Sequence, residues 1–448
     1  MQSEFQTAFF MAKKTVFLTG ATGNMGWAGF QELYARRERF DIRILARDSK
    51  KNRKKLAPYL DDSSVTVVWG DLMRYEDVLT AVKGSDYVLH VGGMVSPAAD
   101  YYPEKTLKVN IGSAENVVKA VLEQPNASEI KVVYIGSVAQ YGDRNPPHHW
   151  GCASEPQMPA KFDMYALSKI RAEQIFASAG LRYLVSLRQS GILYPGILSV
   201  VNPTAFHVPM GGVLEWATIE DSGRLLAQVC EDWVPEDFWN KAYNISSGAQ
   251  YRMTNYEFMN RMLSALGLPS PEKVFEPQWF ALRNFHGMWY KDADILDDIL
   301  HFRANVPVDE YFATMKSKLP WYYRLAFLAP AWAVRMFMKP FALKRVSVHS
   351  GGSRMTLKNS RHTTVHAKHT MPSAAGTTSV LPILIKSYEN KDTGHIGRDY
   401  GRRAGIPHID ILCGMCPSLP GLSQSAVVGF PRGKGNVCAG TSGYSQGR

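Results

Sequence analysis

From Thr15 onward the chain alternates short apolar, β-branched runs with longer stretches whose apolar positions recur at helical spacing. Thr15–Leu18, Ile42–Ala46, Val65–Trp69, Tyr87–Val91, Val132–Ile135 and Tyr183–Leu187 predict strands, because such brief, nearly unbroken hydrophobic runs suit strands covered on both faces. Between them, Gly26–Arg37, Tyr75–Val82, Val109–Leu122 and Met164–Ser178 predict helices. Strands separated by helices of this length imply βαβ units and an α/β fold with a doubly wound parallel sheet.

The alternation stops at the Gly- and Pro-rich stretch 189–215, as expected for a smaller substrate-covering lobe. Further on, Asn244-Ile245-Ser246 predicts a strand and Tyr256–Leu266 a helix. The expected division is an N-terminal extension at 1–11, a nucleotide-binding domain at 12–188, a substrate-binding lobe with a helical extension at 189–345, and a tail at 346–448.

Composition changes the picture mainly at the tail. Residues 349–448 hold no Trp, one Phe and 40 Gly, Pro, Ser or Thr, too little apolar surface to pack a core, so disorder is expected there. The formal charge of +11 is also concentrated in the tail, with 12 Lys and Arg against 4 Asp and Glu in 349–448 and 39 against 36 before it. The nearly neutral remainder gives no nucleic-acid signal. Five cysteines without a regular framework fit a reducing, cytoplasmic setting. The opening Met-Gln-Ser-Glu-Phe does not read as a signal peptide.

Thr19-Gly20-Ala21-Thr22-Gly23-Asn24-Met25-Gly26 follows the first strand and opens the first helix. Gly20 allows the tight turn, Gly23 the approach of a pyrophosphate, and Gly26 close helix–strand packing, while the helix amides face the anion. The run reads as a Rossmann dinucleotide site, with an ordinary Gly-rich turn as the alternative. After the second strand, where NAD enzymes commonly offer an acid to the ribose, the chain reads Arg47-Asp48-Ser49-Lys50-Lys51. A guanidinium at Arg47, with Lys50 or Lys51 beside it, suits a 2′-phosphate and favours NADP(H). Asp48 keeps NAD(H) open.

Tyr165 and Lys169 lie four residues apart and share a helix face. An ammonium there stabilises a phenolate and draws the phenol towards working pH, as acid–base chemistry on an alcohol or carbonyl needs. Ser137 ends a strand 28 positions upstream. Together with Thr19–Gly26, Gly70-Asp71-Leu72, Asn110, and Arg188 before Tyr194-Pro195-Gly196, this set resembles the extended short-chain dehydrogenase/reductase superfamily, in its NAD-dependent epimerase/dehydratase-like branch.

The resemblance covers roughly residues 12–300. It implies that Tyr165 is the acid/base, that Lys169 holds the nicotinamide ribose and lowers the Tyr165 pKa, and that Ser137 bonds the reacting oxygen. It further implies that Asp71 and Leu72 flank the adenine and that Val91, Gly92 and Gly93 line the cofactor. Asn110 is implied either in support of a proton-relay water or in helix capping and packing. Where the family's 4,6-dehydratases carry an Asp-Glu pair after the catalytic hydroxyl, this chain has Val138 and Ala139, which argues against dehydration.

Weaker signals remain. His148-His149-Trp150 is a candidate substrate contact, although a polar surface turn is the stronger reading. Cys413, Cys416, Cys438 and His408 offer one Cys-x-x-Cys pair, too little for a zinc site. Leu325–Val334 is uncharged but too short to span a bilayer. On a continuous helix over 320–345, Arg324, Arg335 and Lys339 would share a face, the pattern of an interfacial membrane helix, and packing on the domain or on a partner subunit in a homodimer fits equally. The leading expectation is a hydride-transferring oxidoreductase acting on a small-molecule hydroxyl or ketone. A sugar-nucleotide epimerase retaining NAD comes second and a non-catalytic nucleotide sensor third. The substrate pocket is expected from the loops 94–103, 143–160 and 189–215.

Overall fold

The strand expectations are met within a few residues, because the runs that cannot face water are the ones that pair. In the computed structural model, which describes residues 12–342 apart from 97, 145–146, 162, 200–202 and 283–285, seven parallel strands form one sheet. Their order is Lys241–Ile245, Tyr183–Gln189, Lys131–Ser137, Tyr87–His90, Lys14–Thr19, Phe40–Ala46 and Val65–Trp69. Tyr87–His90 is buried along its whole length, consistent with a central strand covered by helices on both faces.

One face is closed by helices Asn24–Tyr34 and Ile219–Gln228, whose Phe30, Leu33, Leu225 and Leu226 join Val16 and Leu18 in the core. The other is closed by Tyr75–Val82, Pro103–Leu122 and Met164–Ser178, meeting through Val78, Val117, Val121 and Phe176. Pro103–Leu122 begins six residues before the expected Val109, with Pro103 in its first turn, where a missing N–H costs nothing.

The strand order reverses between Lys14–Thr19 and Tyr87–His90, and a crevice opens beyond the carboxyl ends of the strands at such a point. The sheet continues past residue 188, because Lys241–Ile245 pairs with Tyr183–Gln189. The remaining C-terminal residues build a separate core around Phe206, Phe258, Phe275, Trp279 and Phe312. Its principal helix, Asn255–Leu266, starts at a Thr254/Glu257 capping box and stops at Gly267 with φ +73°.

The continuous amphipathic helix envisaged for 320–345 does not form. The chain makes a 3₁₀ segment, Trp321–Leu328, breaks before Pro330, and restarts as Ala331–Ala342, as a proline without an N–H favours. Val334 is buried in the lobe core and Arg335 donates to the Lys273 carbonyl at 3.1 Å, so one edge of this helix packs on its own domain, while Trp332, Met336 and Phe337 remain exposed. Among the described residues no helix is long and apolar enough to cross a membrane. The expected extension at 1–11, the tail from 346 and the cysteines at 413, 416 and 438 lie outside the described residues.

Candidate active site

The glycine run follows the first strand as a backbone cradle. Gly20 has φ +70°, and a Cβ there would stand 2.8 Å from the Gly92 Cα. On Gly26 a Cβ would meet the Gly20 carbonyl oxygen at 2.2 Å, so helix and turn approach as closely as backbones can. Gly23 begins helix Asn24–Tyr34 with no side-chain cap, which leaves the first amides to an anion. Across the crevice, the Gly92 N–H donates to the Thr19 hydroxyl at 2.9 Å, and a Cβ on Gly92 would run into Leu72 at 2.7 Å. These are the clearances that a dinucleotide lying across strand ends requires.

One continuous cleft of about 1960 Å³ is lined by Gly20, Thr22, Gly23, Asn24, Met25 and Gly26. Arg47 and Lys51, Asp71 and Leu72, and Val91, Gly92 and Gly93 join the same lining, as do Ser137, Tyr165 and Lys169. Two amide-to-carboxylate bonds shape the turn at Asp71: its carboxylate accepts from the Met73 amide at 3.0 Å, and its own amide donates to the Asp77 carboxylate at 2.9 Å.

At the second strand's end, Arg53 donates to both carboxylate oxygens of Asp48, at 2.5 and 2.7 Å. This pairing holds the Asp48 pKa below its ordinary value. Arg47 is exposed on the cleft.

Ser137 closes its strand in a capping box: its hydroxyl accepts from the Ala139 amide at 3.2 Å, and its amide donates to Gln140 at 2.6 Å. With the oxygen so occupied, the hydroxyl proton points elsewhere, and the Ser137 and Tyr165 hydroxyls share a hydrogen bond. Tyr165 sits in the first turn of Met164–Ser178, whose start is fixed by Asp163 accepting from Ala166 N–H at 2.9 Å. Lys169 is one turn on, 5% exposed, with its ammonium donating to the Ile135 carbonyl at 2.8 Å.

The expected depression of the Tyr165 phenol is not what this geometry produces. Burial pushes Tyr165 up to about 12, the bond to Ser137 pulls the other way, and Asp163 and Asp100 add to the rise. Lys169 is itself brought down to about 8 by burial, opposed by Glu173. An ammonium committed to a backbone carbonyl is not directed at the phenol.

Asn110 does not line the cleft. Its amide nitrogen donates to the Met94 carbonyl at 3.0 Å and to the Ser168 hydroxyl at 2.9 Å, and its oxygen accepts from the Met94 amide at 2.7 Å. It ties the Gly93–Met94 turn to the helix carrying Tyr165, which is the packing alternative. His149 and Trp150 lie against Trp289, and neither they nor His148 border the cleft. Among the described residues no group of three or more His, Cys, Asp or Glu could hold a metal.

Residues 16–191 match the model of the NAD dependent epimerase/dehydratase family. Over this stretch the chain is similar to that family. UDP-glucose 4-epimerase of Rickettsia bellii (strain RML369-C) is 32% identical over 111 residues, 24% of this chain and 32% of the relative. The enzyme of that name from Rickettsia prowazekii (strain Madrid E) is 30% identical over 128 residues, 28% and 36% of the two chains. The chain thus spans about a third of the length of these curated relatives. Among solved structures, dTDP-glucose 4,6-dehydratase from Bacillus anthracis in complex with NAD superposes with TM-score 0.54 at 14% identity, over 69% of this chain and 96% of that one. At 14% identity the likeness establishes a shared fold.

Two features of the nucleotide-binding domain and its lobe escape sequence reading. Arg188, a motif residue, lies behind the site, where its guanidinium meets Glu173 at 2.6 and 3.2 Å and donates to Tyr141 at 2.7 Å. Gln140 and Ser186 also donate to Glu173, so this buried pair clamps the turn that presents Ser137. The pocket walls are the second feature. Residues 94–96 and much of 189–214 line the cleft as expected, but no described residue of 143–160 does. Instead the helix Asn255–Leu266 and residues 323–338 supply a wall, assembled from segments too far apart in sequence to be joined by any local pattern.

Proposed function

We propose that the chain is an NAD(P)(H)-dependent enzyme that moves a hydride to or from a hydroxyl-bearing or carbonyl carbon of a small molecule. The observation that carries this reading is the meeting of Ser137, Tyr165 and Lys169 in the cleft that also contains the glycine cradle. The nicotinamide, when bound, supplies the hydride carrier. Ser137, whose hydroxyl bonds Tyr165 in the free protein, turns that proton to the reacting oxygen. Tyr165, a neutral phenol at ordinary pH, hands its proton to that oxygen during reduction and takes it back during oxidation. Lys169, buried and near its own pKa, donates to the cofactor's ribose.

The same step serves two outcomes. Transient oxidation followed by return of the hydride to the other face is epimerisation, and the curated relatives, UDP-glucose 4-epimerases, support it better than the net oxidoreductase that the sequence placed first. A UDP-N-acetylglucosamine 4-epimerase from Methanobrevibacter ruminantium M1, 18% identical with TM-score 0.52 over 68% of this chain and 98% of that one, shares the fold. Val138 and Ala139 after Ser137 provide no extra acid and base for dehydration. The structural neighbour from Bacillus anthracis is described with NAD, while Arg47, exposed beside an Asp48 held by Arg53, supports NADP(H) for this chain.

Denaturing the purified full-length protein and assaying the released nucleotide separates the outcomes. An epimerase retains its cofactor and shows no net change in its redox state, whereas an oxidoreductase consumes added cofactor. Bound nucleotide with no hydride exchange on any substrate would leave only the sensor reading.

A further inference from the structure

The cleft continues past the catalytic hydroxyls into the C-terminal lobe, and its character changes there. Trp216, Phe258, Met262, Phe275, Val334 and Met338 face one another across it, and Phe258 stacks on Trp216 with ring centroids 4.3 Å apart. These residues come from the residue between two short strands, helix Asn255–Leu266, the C-terminal end of helix Pro271–Val274 and helix Ala331–Ala342, so four separate elements each contribute apolar wall. The whole cleft, at about 1960 Å³, is about twice the upper end of about 1,000 Å³ usual for a single small-molecule site. It has room for a dinucleotide and a second bulky molecule together.

Among the described lining residues that the C-terminal lobe contributes, from 191 on, there is no Lys or Arg, the side chains that pair with a diphosphate; the cleft's Lys105 and Lys108 lie on helix Pro103–Leu122 instead. A doubly charged group placed against these walls would lose its hydration without gaining a partner. One polar side chain at the chamber's inner end is uncommitted. Gln189 is paired in register with Ser137 across the sheet, is 7% exposed, and has both its amide nitrogen and oxygen buried without a hydrogen-bond partner.

The family match ends at residue 191, before all six of these wall residues. The relatives' substrates therefore say nothing about this chamber.

We propose that the chamber holds a substrate whose reacting hydroxyl or oxo group is carried on a bulky apolar skeleton. The oxygen lies at the Ser137 end within reach of the Gln189 amide, and the skeleton lies between helices Asn255–Leu266 and Ala331–Ala342. This rests on the hydride-transfer reading and departs from the sugar-nucleotide version of it only in the part of the substrate that does not react.

The test uses full-length protein saturated with NADPH, or with NADH if that binds better. Tryptophan fluorescence and calorimetry follow titration with two fused-ring ketones, 2-decalone and a tetracyclic ketone, and separately with UDP-glucose. At least one ketone should bind saturably and UDP-glucose should not displace it. Met262→Arg should weaken ketone binding at least tenfold with the dinucleotide still bound, and the milder Met338→Gln should shift it in the same direction. Binding of UDP-glucose in place of both ketones would overturn the substrate class and leave hydride transfer standing. Failure of the folded protein to bind either dinucleotide would instead overturn the hydride-transfer reading itself.

Discussion

Arg53 holds both oxygens of the Asp48 carboxylate, at 2.5 and 2.7 Å, and in the proposed reading this occupies an acid that would otherwise compete with Arg47 for the cofactor's ribose. A carboxylate already saturated by a guanidinium is a poor acceptor for ribose hydroxyls, while Arg47 stays available for a 2′-phosphate. NADPH should therefore bind more tightly than NADH, and Arg47→Asp should narrow or reverse the difference. Arg53→Ala, by freeing Asp48, should shift preference towards NADH with Arg47 intact. Equal affinities in the wild type, unmoved by either substitution, would contradict this.

The buried pair behind Ser137 makes a prediction about stability. Arg188→Met leaves the Glu173 carboxylate in the interior without its cation, and breaking such a pair costs about 3–5 kcal/mol. Urea unfolding should show a loss of that size. Activity at temperatures where the variant remains folded should fall as well, since Gln140 and Tyr141 lose their anchor. A loss below about 1 kcal/mol would show that the pair does not hold the turn.

Much of this site is legible in sequence because its parts are local. The cradle from Gly20 to Gly26 needs only seven consecutive residues, and Tyr165 and Lys169 need only one helical turn. Asn110 is different: the choice between relay and packing depends on Met94 and Ser168, 16 positions before it and 58 after it. The chamber is further still from local reading, since Trp216, Phe258 and Val334 meet only after the lobe has folded. Helical periodicity over 320–345 is visible, but Pro330 divides the segment, and its second half rests on the lobe core through Val334 while Trp332, Met336 and Phe337 stay exposed. The partner that Arg188 finds, Glu173, lies 15 residues away on another element and leaves no pattern in the chain.

Lys169 gives the site a pH dependence with two opposite signs. Its ammonium, brought down to about 8 by burial, is charged below that value and lost above it. Dinucleotide affinity should be flat at lower pH and weaken as pH rises through about 8. Stability should move the other way: the folded value lies below the ordinary 10.5, so the unfolded chain binds the extra proton between about 8 and 10.5, and this group adds stability as pH rises across that window. Lys169→Met should flatten both profiles, as measured by titration calorimetry and by denaturation at several pH values. A binding profile unchanged in the variant would remove Lys169 from the ribose.

Gln189→Leu should separate binding from folding. Removing a buried amide with no partner should leave the free protein as stable as the wild type or more so, whereas loss of a neutral hydrogen bond to the substrate, about 0.5–1.5 kcal/mol, should raise KM by roughly two- to tenfold with kcat and dinucleotide affinity little changed. A destabilised variant with unchanged KM would assign Gln189 a purely structural role.

The most direct measurement follows the near-ultraviolet absorbance of reduced nicotinamide bound to full-length protein in a single turnover, with wild type and Tyr165→Phe compared on the same substrate. The substitution removes one oxygen and leaves the cradle untouched. The account predicts unchanged dinucleotide binding and a hydride-transfer rate lower by roughly 100-fold or more, the usual contribution of a positioned acid/base. Transfer at the wild-type rate in Tyr165→Phe across pH would contradict it.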